Sequence, residues 1–226
     1  MRLILARHGQ TRANIDRVLD TLPPGYPLTP EGYRQATELA EALHDEPVAA
    51  VYASRAVRAL QTAEAVAARH GVQPIELDGV QEVFLGDLEA RSDGEAHELW
   101  NGIYRAWHSG QRDRRVPGGE SGAEVIDRYR AALLRLTATR PDGTLVVVSH
   151  GGAMRLAAAA LAGNVGSEFA QAHYMPNART IVLEPEHSTG SHTGWHTGWH
   201  TGWHTGWHTG WHCVRWNDVD MPPLPA

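Results

Sequence analysis

The sequence predicts an α/β fold, a three-layer α/β/α sandwich around a mostly parallel central sheet. Two observations carry that expectation. Apolar runs of strand length occur at residues 3–6, 48–53 and 145–149, and each is followed by a segment that helical spacing or capping chemistry marks as a helix. Strands that alternate with helices pair in parallel and are covered on both faces.

Local chemistry sets each element. Residues 3–6 read as a buried strand that ends in Arg7-His8-Gly9, after which Gln10-Thr11 opens a helix. A Pro/Gly-rich loop over 20–28 leads to Thr29 and Pro30, an N-cap and first helical position. Ala36, Leu39, Ala40 and Leu43 then recur on one helix face. Residues 48–53 form a second strand. Ser54 is read as the cap of a helix running to about Arg69, with Gly71 as its stop. Ser121 and Glu124 form a capping box ahead of Val125, Tyr129, Ala132, Leu133 and Leu136. The run 145–149 reads as a strand buried on both faces, and His150-Gly151-Gly152 leads into an alanine-rich helix over 154–161. Strands at 180–184 and 213–216 flank Thr-Gly-Trp-His units over 187–212, an expanded hairpin loop. Residues 221–226 are a loose tail.

Length and composition bound the function. With 226 residues, 42% of them hydrophobic, the chain is expected to hold a single domain over 1–226. A net charge of −6 argues against nucleic acid, which needs clustered excess Lys and Arg. The lone Cys213 forms no internal disulfide, and no Cys/His spacing matches structural zinc, so a reducing, cytoplasmic setting is expected, with no metal and no cofactor. The apolar run at residues 3–6 is too short for a signal core, and no other run approaches membrane-spanning length, so no membrane partner is expected. The expected partner is a small molecule, and a homodimer is compatible with the sequence.

Two separate strands each deliver a histidine to the turn before a helix. Ligands of open α/β sheets bind at strand carboxyl ends, and helix N-termini attract anions. Arg7 stands beside the first histidine, and Arg58 lies early in the helix after the second strand. Guanidinium forks suit a multi-oxygen anion such as phosphate, and their charge keeps an imidazole such as His8 neutral and nucleophilic. Read singly, each residue has a plainer explanation: His8 at a surface strand end, Gln10 and Asn14 as helix-capping residues, Arg58 as a solvated helix residue with Arg55 and Arg91 as alternatives, Glu82 as an exposed loop carboxylate.

Taken in order, the segments resemble the histidine phosphatase superfamily, in its phosphoglycerate mutase-like branch. Arg7-His8-Gly9-Gln10-Thr11 with Asn14 resembles the family signature; Leu28-Thr29-Pro30-Glu31-Gly32 its first long helix; Ser54, Arg58 and Gln61-Thr62 its second phosphate-binding segment. Gln81-Glu82 with Gly86 and Glu89 resembles its acid loop, Pro117-Gly118-Gly119-Glu120-Ser121 a later segment, and Ser149-His150-Gly151 the second histidine. The resemblance spans about 2–184 and resumes at 214–220. It implies a phosphohistidine on His8, with Arg7, Asn14, Arg58 and His150 on the phosphate oxygens, Gln10, Thr11 and Gly151 in the binding loops, and Glu82 as proton donor and then base. Val83, Phe84 and Leu85 are expected to desolvate the Glu82 carboxyl.

The resemblance leaves hydrolysis and mutase transfer both open. A short stretch between Gly86 and Pro117, and Gly152 where mutases carry asparagine, favour a phosphatase acting on a small phosphorylated metabolite. Arg112, Arg114 and Arg115 are either mutase-like grips for a second anion or a solvated basic loop.

Seven of the 14 histidines and five of the eight tryptophans fall in 187–212. Along one strand, histidines four residues apart are separated by roughly 13 Å, too far to share a metal. Across a β-ribbon they would capture an adventitious divalent metal such as Zn²⁺, Ni²⁺ or Cu²⁺. The competing readings are a functionless repeat expansion and a non-catalytic binding module whose working part is the repeat.

Overall fold

The computed structural model describes residues 1–139, 142–186 and 210–222. Among them a seven-stranded sheet has the order β3-β2-β4-β1-β5-β6-β7. The strands β1 (Arg2–Arg7), β2 (Val48–Ala53), β3 (Pro74–Glu76) and β4 (Thr144–Ser149) are joined by parallel pairing. The strands β5 (Thr180–Pro185), β6 (Trp211–Trp216) and β7 (Val219–Asp220) add three antiparallel pairings. The sheet is therefore mixed, a correction to the mostly parallel expectation. Parallel neighbours need a crossover, whereas β6 and β7 are joined by a two-residue turn in which Asn217 takes a positive φ of 52°.

Side chains of β1 alternate between two cores. Ile4 and Ala6 pack with Val51, Val146 and Val148 under α2 (Pro30–Ala42) and α3 (Val57–Arg69). Leu3 and Leu5 pack on the other face beneath α4 (Gly94–His108), α5 (Gly122–Thr139), α6 (Gly151–Leu161) and α7 (Ser167–Ala172). Helices on both faces give the three layers.

The capping chemistry explains most boundaries. Thr29 caps α2 through Gly32 N, and Ser121 and Glu124 cap α5 reciprocally. Thr11 caps the short α1 (Arg12–Asp16) with Asn14 reaching back to its amide. Ser54 does not cap α3, whose N-cap is Ala56 with no side-chain bond. The Ser54 hydroxyl instead meets the buried ring of His150, 2.5 Å from Nε2, which outcompetes a helix end three residues away.

Helix α4, absent from the sequence reading, is capped by Asp93 and buries Ala96, Ile103 and Trp107 at helical spacing. Strand β6 begins at Trp211, two residues earlier than expected. Trp211 of the last Thr-Gly-Trp-His unit lies opposite Pro185 and is buried in the core. The rest of the repeat, residues 187–209, lies outside the described residues, as do 223–226 of the expected tail.

Register positions the site. Arg7 of β1 pairs with Ser149 of β4, and His8 N donates to Ser149 O at 3.1 Å, so both strands release their histidines side by side. The N-terminus of α2 is pressed against the same turn: a Cβ on Gly32 would collide with the Gln10 carbonyl. Gly32→Ala is expected to lower stability by about 1–3 kcal/mol. Urea unfolding of the two chains measures the difference.

Candidate active site

His8 follows the last residue of β1 and is 4% exposed. Its Nδ1 lies 2.7 Å from the Gly9 carbonyl, which can only accept, so the proton of the neutral ring sits on Nδ1. The lone pair is left on Nε2, where Arg58 Nε donates at 3.2 Å. Burial first, then the charges of Arg58 and Arg7, hold the imidazole well below its ordinary pKa. A neutral ring at pH 7 results, with its lone pair on Nε2.

His150 lies behind His8, fully buried, with ring centroids 5.2 Å apart. Burial, Arg58 and His8 keep it neutral as well. Ser54 occupies its Nε2, while Nδ1 is buried with no partner among the described residues.

Two arginines stand beside the histidines. Arg58, in the first turn of α3, is 2% exposed; its Nη1 and Nη2 donate to the Asp20 carboxylate and carbonyl at 3.0 and 3.1 Å. Arg7 donates through Nη1 to Met175 O at 2.7 Å and to the Tyr174 hydroxyl at 2.5 Å. Arg7 Nε is buried without a partner among the described residues. Buried donors normally find acceptors, so the orphaned atoms on Arg7 and His150 mark a place suited to a polar ligand. Gly151 packs on the Arg7 side chain, and a Cβ there would lie 3.2 Å from Nε.

Glu82 faces this group from the loop after β3. Its carboxylate accepts from Val83 N, Gly152 N and Ala153 N at 2.9, 3.0 and 2.7 Å, across the N-terminus of α6. A Cβ on Gly152 would lie 2.9 Å from Glu82 Oε1, which accounts for glycine there. Val83 and Leu85 are buried beside the cavity, but Phe84 is 37% exposed, so only two of the three expected residues wall the carboxylate.

A cavity of about 400 Å³ joins Arg7, His8, Arg58 and Glu82, while His150, fully buried, is not among its lining residues. Arg7, His8, Thr11, Asn14, Arg58, Glu82 and Gly151, all named from the sequence, are among its lining residues. Asn14 both caps and lines: its Oδ1 accepts from Thr11 N and Asn177 Nδ2, leaving its amide NH₂ as the donor. Gln10 is a correction. It lies outside the cavity lining, where its Oε1 accepts from the Thr29 hydroxyl and its backbone N donates to Gln35 Oε1, fastening α2 to the turn. Arg112, Arg114 and Arg115 do not line the cavity either, and Arg115 is engaged by Gly119 O and Glu124.

The far wall was missed in the sequence. Trp100, Asn101 and Tyr104 come from α4, Arg155 from α6, and Tyr174 from the loop before β5. The Tyr104 hydroxyl donates to Gly152 O at 2.9 Å, and the Arg155 guanidinium lies over the Tyr104 ring at 5.4 Å. The spacing of Trp100, Tyr104 and Trp107 is a helical signal that locates α4. Nothing local in the sequence singles out Arg155 or Asp20.

Residues 3–197 match the family model described as the histidine phosphatase superfamily, branch 1. The chain belongs to the histidine phosphatase superfamily. A relative in Arabidopsis thaliana, phosphoglycerate mutase-like protein 4, is 33% identical over 68% of this chain and 67% of its own length. Among solved structures, a mycobacterial glucosyl-3-phosphoglycerate phosphatase is similar with TM-score 0.76 and 25% identity, covering 96% of this chain and 99% of the other. The alpha-ribazole phosphatase of Shigella flexneri has TM-score 0.68 and 27% identity over 82% and 91%. This histidine phosphatase-superfamily chain thus shares its fold with phosphatases and its sequence with a mutase-like protein.

Three buried histidines make acid stability diagnostic. His8 and His150 are held well below their usual range, and burial with Arg155 and Arg112 pushes His108 down to about 4. The unfolded chain binds protons at these positions near pH 6.5 while the folded chain does not, so stability falls as pH drops below about 6.5. The thermal midpoint is expected to fall by several degrees between pH 7 and pH 5, and by less in His108→Gln, as calorimetry would record.

Proposed function

We propose that the chain is a phosphatase that hydrolyses a small phosphomonoester through a phosphohistidine on His8. The observation that carries this reading is the unprotonated Nε2 of His8, buried, neutral and accepting only from Arg58 Nε, a bond that an incoming phosphoryl group replaces. A phosphoryl group attacked there has Arg7 Nε, Arg58, the Asn14 amide and His150 Nδ1 as donors for its oxygens, and charge on those oxygens is what phosphoryl transfer must stabilise. As the Nε2–P bond forms, the ester P–O bond breaks, and Glu82, having taken up a proton from solvent, passes it to the departing alkoxide. Glu82 then takes a proton from the water that attacks phosphohistidine.

The substrate class is a phosphorylated metabolite with a bulky leaving group. The cavity wall of Trp100 and Tyr104 suits a ring-bearing group, and the relatives named for glucosyl-3-phosphoglycerate and alpha-ribazole substrates point the same way. Mutase transfer is the second reading, favoured by the mutase-like name of the Arabidopsis relative. Against it, the basic loop at 112–115 contributes nothing to the cavity lining.

His8→Ala is expected to lower turnover of an aryl phosphate by about a thousandfold or more, and Glu82→Gln by 10²–10⁴-fold with natural, poorer leaving groups, in orders of magnitude set by covalent and acid–base catalysis. Equal rates for wild type and His8→Ala would remove the enzyme reading. A phosphometabolite panel assayed with and without 2,3-bisphosphoglycerate separates the two reactions: released phosphate without the bisphosphate supports hydrolysis, and bisphosphate-dependent isomerisation supports the mutase.

A further inference from the structure

Asp20 sits in the Pro/Gly-rich loop, a segment read from sequence only as a connection. Its side chain is 13% exposed against 2% for Arg58, so the pair is shielded from water. Asp20 holds both terminal nitrogens of Arg58, Nη1 through Oδ2 at 3.0 Å and Nη2 through its carbonyl at 3.1 Å. The remaining nitrogen, Nε, is the one that donates to His8 Nε2.

The loop that carries Asp20 is itself anchored. Glu89 accepts from Thr21 N at 2.8 Å, from Leu22 N at 3.2 Å and from the Thr21 hydroxyl; Val57 N donates to Pro24 O at 2.9 Å; Tyr26 N donates to Asp20 Oδ2 at 3.1 Å. Gly25, with φ +65°, passes so close that a Cβ there would collide with Arg58 Nη1.

We propose that Asp20 is a positioning residue that aims Arg58 at His8 and, as its buried counter-charge, limits how tightly the pocket holds phosphate. This rests on the phosphohistidine reading of His8. A carboxylate fixed beside a guanidinium offsets the attraction that guanidinium exerts on an incoming dianion, and in a shielded site the offset is not screened away. Product phosphate therefore leaves more readily than from a pocket with an unpaired Arg58.

The test uses the full chain. Wild type is first assayed for aryl phosphate turnover; its absence would overturn the reading of His8 and leave Asp20 to be judged by phosphate binding alone. Asp20→Asn keeps the shape and an acceptor oxygen while removing the charge. Its inhibition constant for inorganic phosphate is expected to fall about three- to tenfold, with kcat changed less. Gly25→Ala keeps the charge and displaces Arg58. Its kcat is expected to fall about tenfold with no tightening of phosphate. Wild-type phosphate inhibition in Asp20→Asn, or wild-type kcat in Gly25→Ala, overturns the proposal. If Asp20→Asn fails to fold by circular dichroism, Asp20→Ser, smaller and also uncharged, is read for phosphate inhibition with the same two outcomes.

Discussion

The contact between Arg58 Nε and His8 Nε2 requires a neutral imidazole inside a cationic pocket, and the rest of the site follows from that requirement. An imidazolium could not accept this bond and would be repelled by two guanidinium groups. Burial and positive charge act in the same direction, so the protein needs no separate base to keep His8 unprotonated. The Gly9 carbonyl settles which nitrogen is free, because it takes the proton-bearing Nδ1. His150 is neutral as well, and the Ser54 hydroxyl can donate to its Nε2, which leaves the ring proton on Nδ1.

The fold supplies this contact through register and helix ends. Parallel pairing of β1 and β4 in step brings two histidines that are far apart in sequence to a ring separation of 5.2 Å. The first turn of α3 contributes Arg58, and the N-terminus of α6 holds Glu82 by two of its backbone amides. Charge is local rather than global. A chain with net charge −6 still concentrates Arg7, Arg17, Arg58 and Arg155 around one cavity, against Asp20 and Glu82.

Much of this was legible in the sequence because it depends on short-range chemistry. The strands at 48–53 and 145–149 are continuous apolar runs, and the caps at Thr29 and Ser121 follow from side-chain reach within a turn. Arg7, His8, Arg58, Glu82 and His150 were legible through motif order. What stayed hidden depends on long-range partners. Ser54 has the composition of a cap but bonds an imidazole 96 residues away. Gln10 sits in the signature turn yet faces α2, because Thr29 and Gln35 claim its side chain and amide. Asp20 reads as a loop acid until Arg58 is placed beside it. The hairpin pairing of β5 with β6 was legible, but the antiparallel pairing of β5 with β1 was not, because apolar runs do not reveal strand direction.

The most direct measurement is the protonation state of His8 itself, by ¹⁵N NMR of the imidazole in the resting chain near pH 6. The account predicts a neutral ring with a protonated Nδ1 and a bare, pyridine-type Nε2, unchanged to well below the pH at which free histidine titrates. An imidazolium at that pH, or a neutral ring with its proton on Nε2, would contradict it.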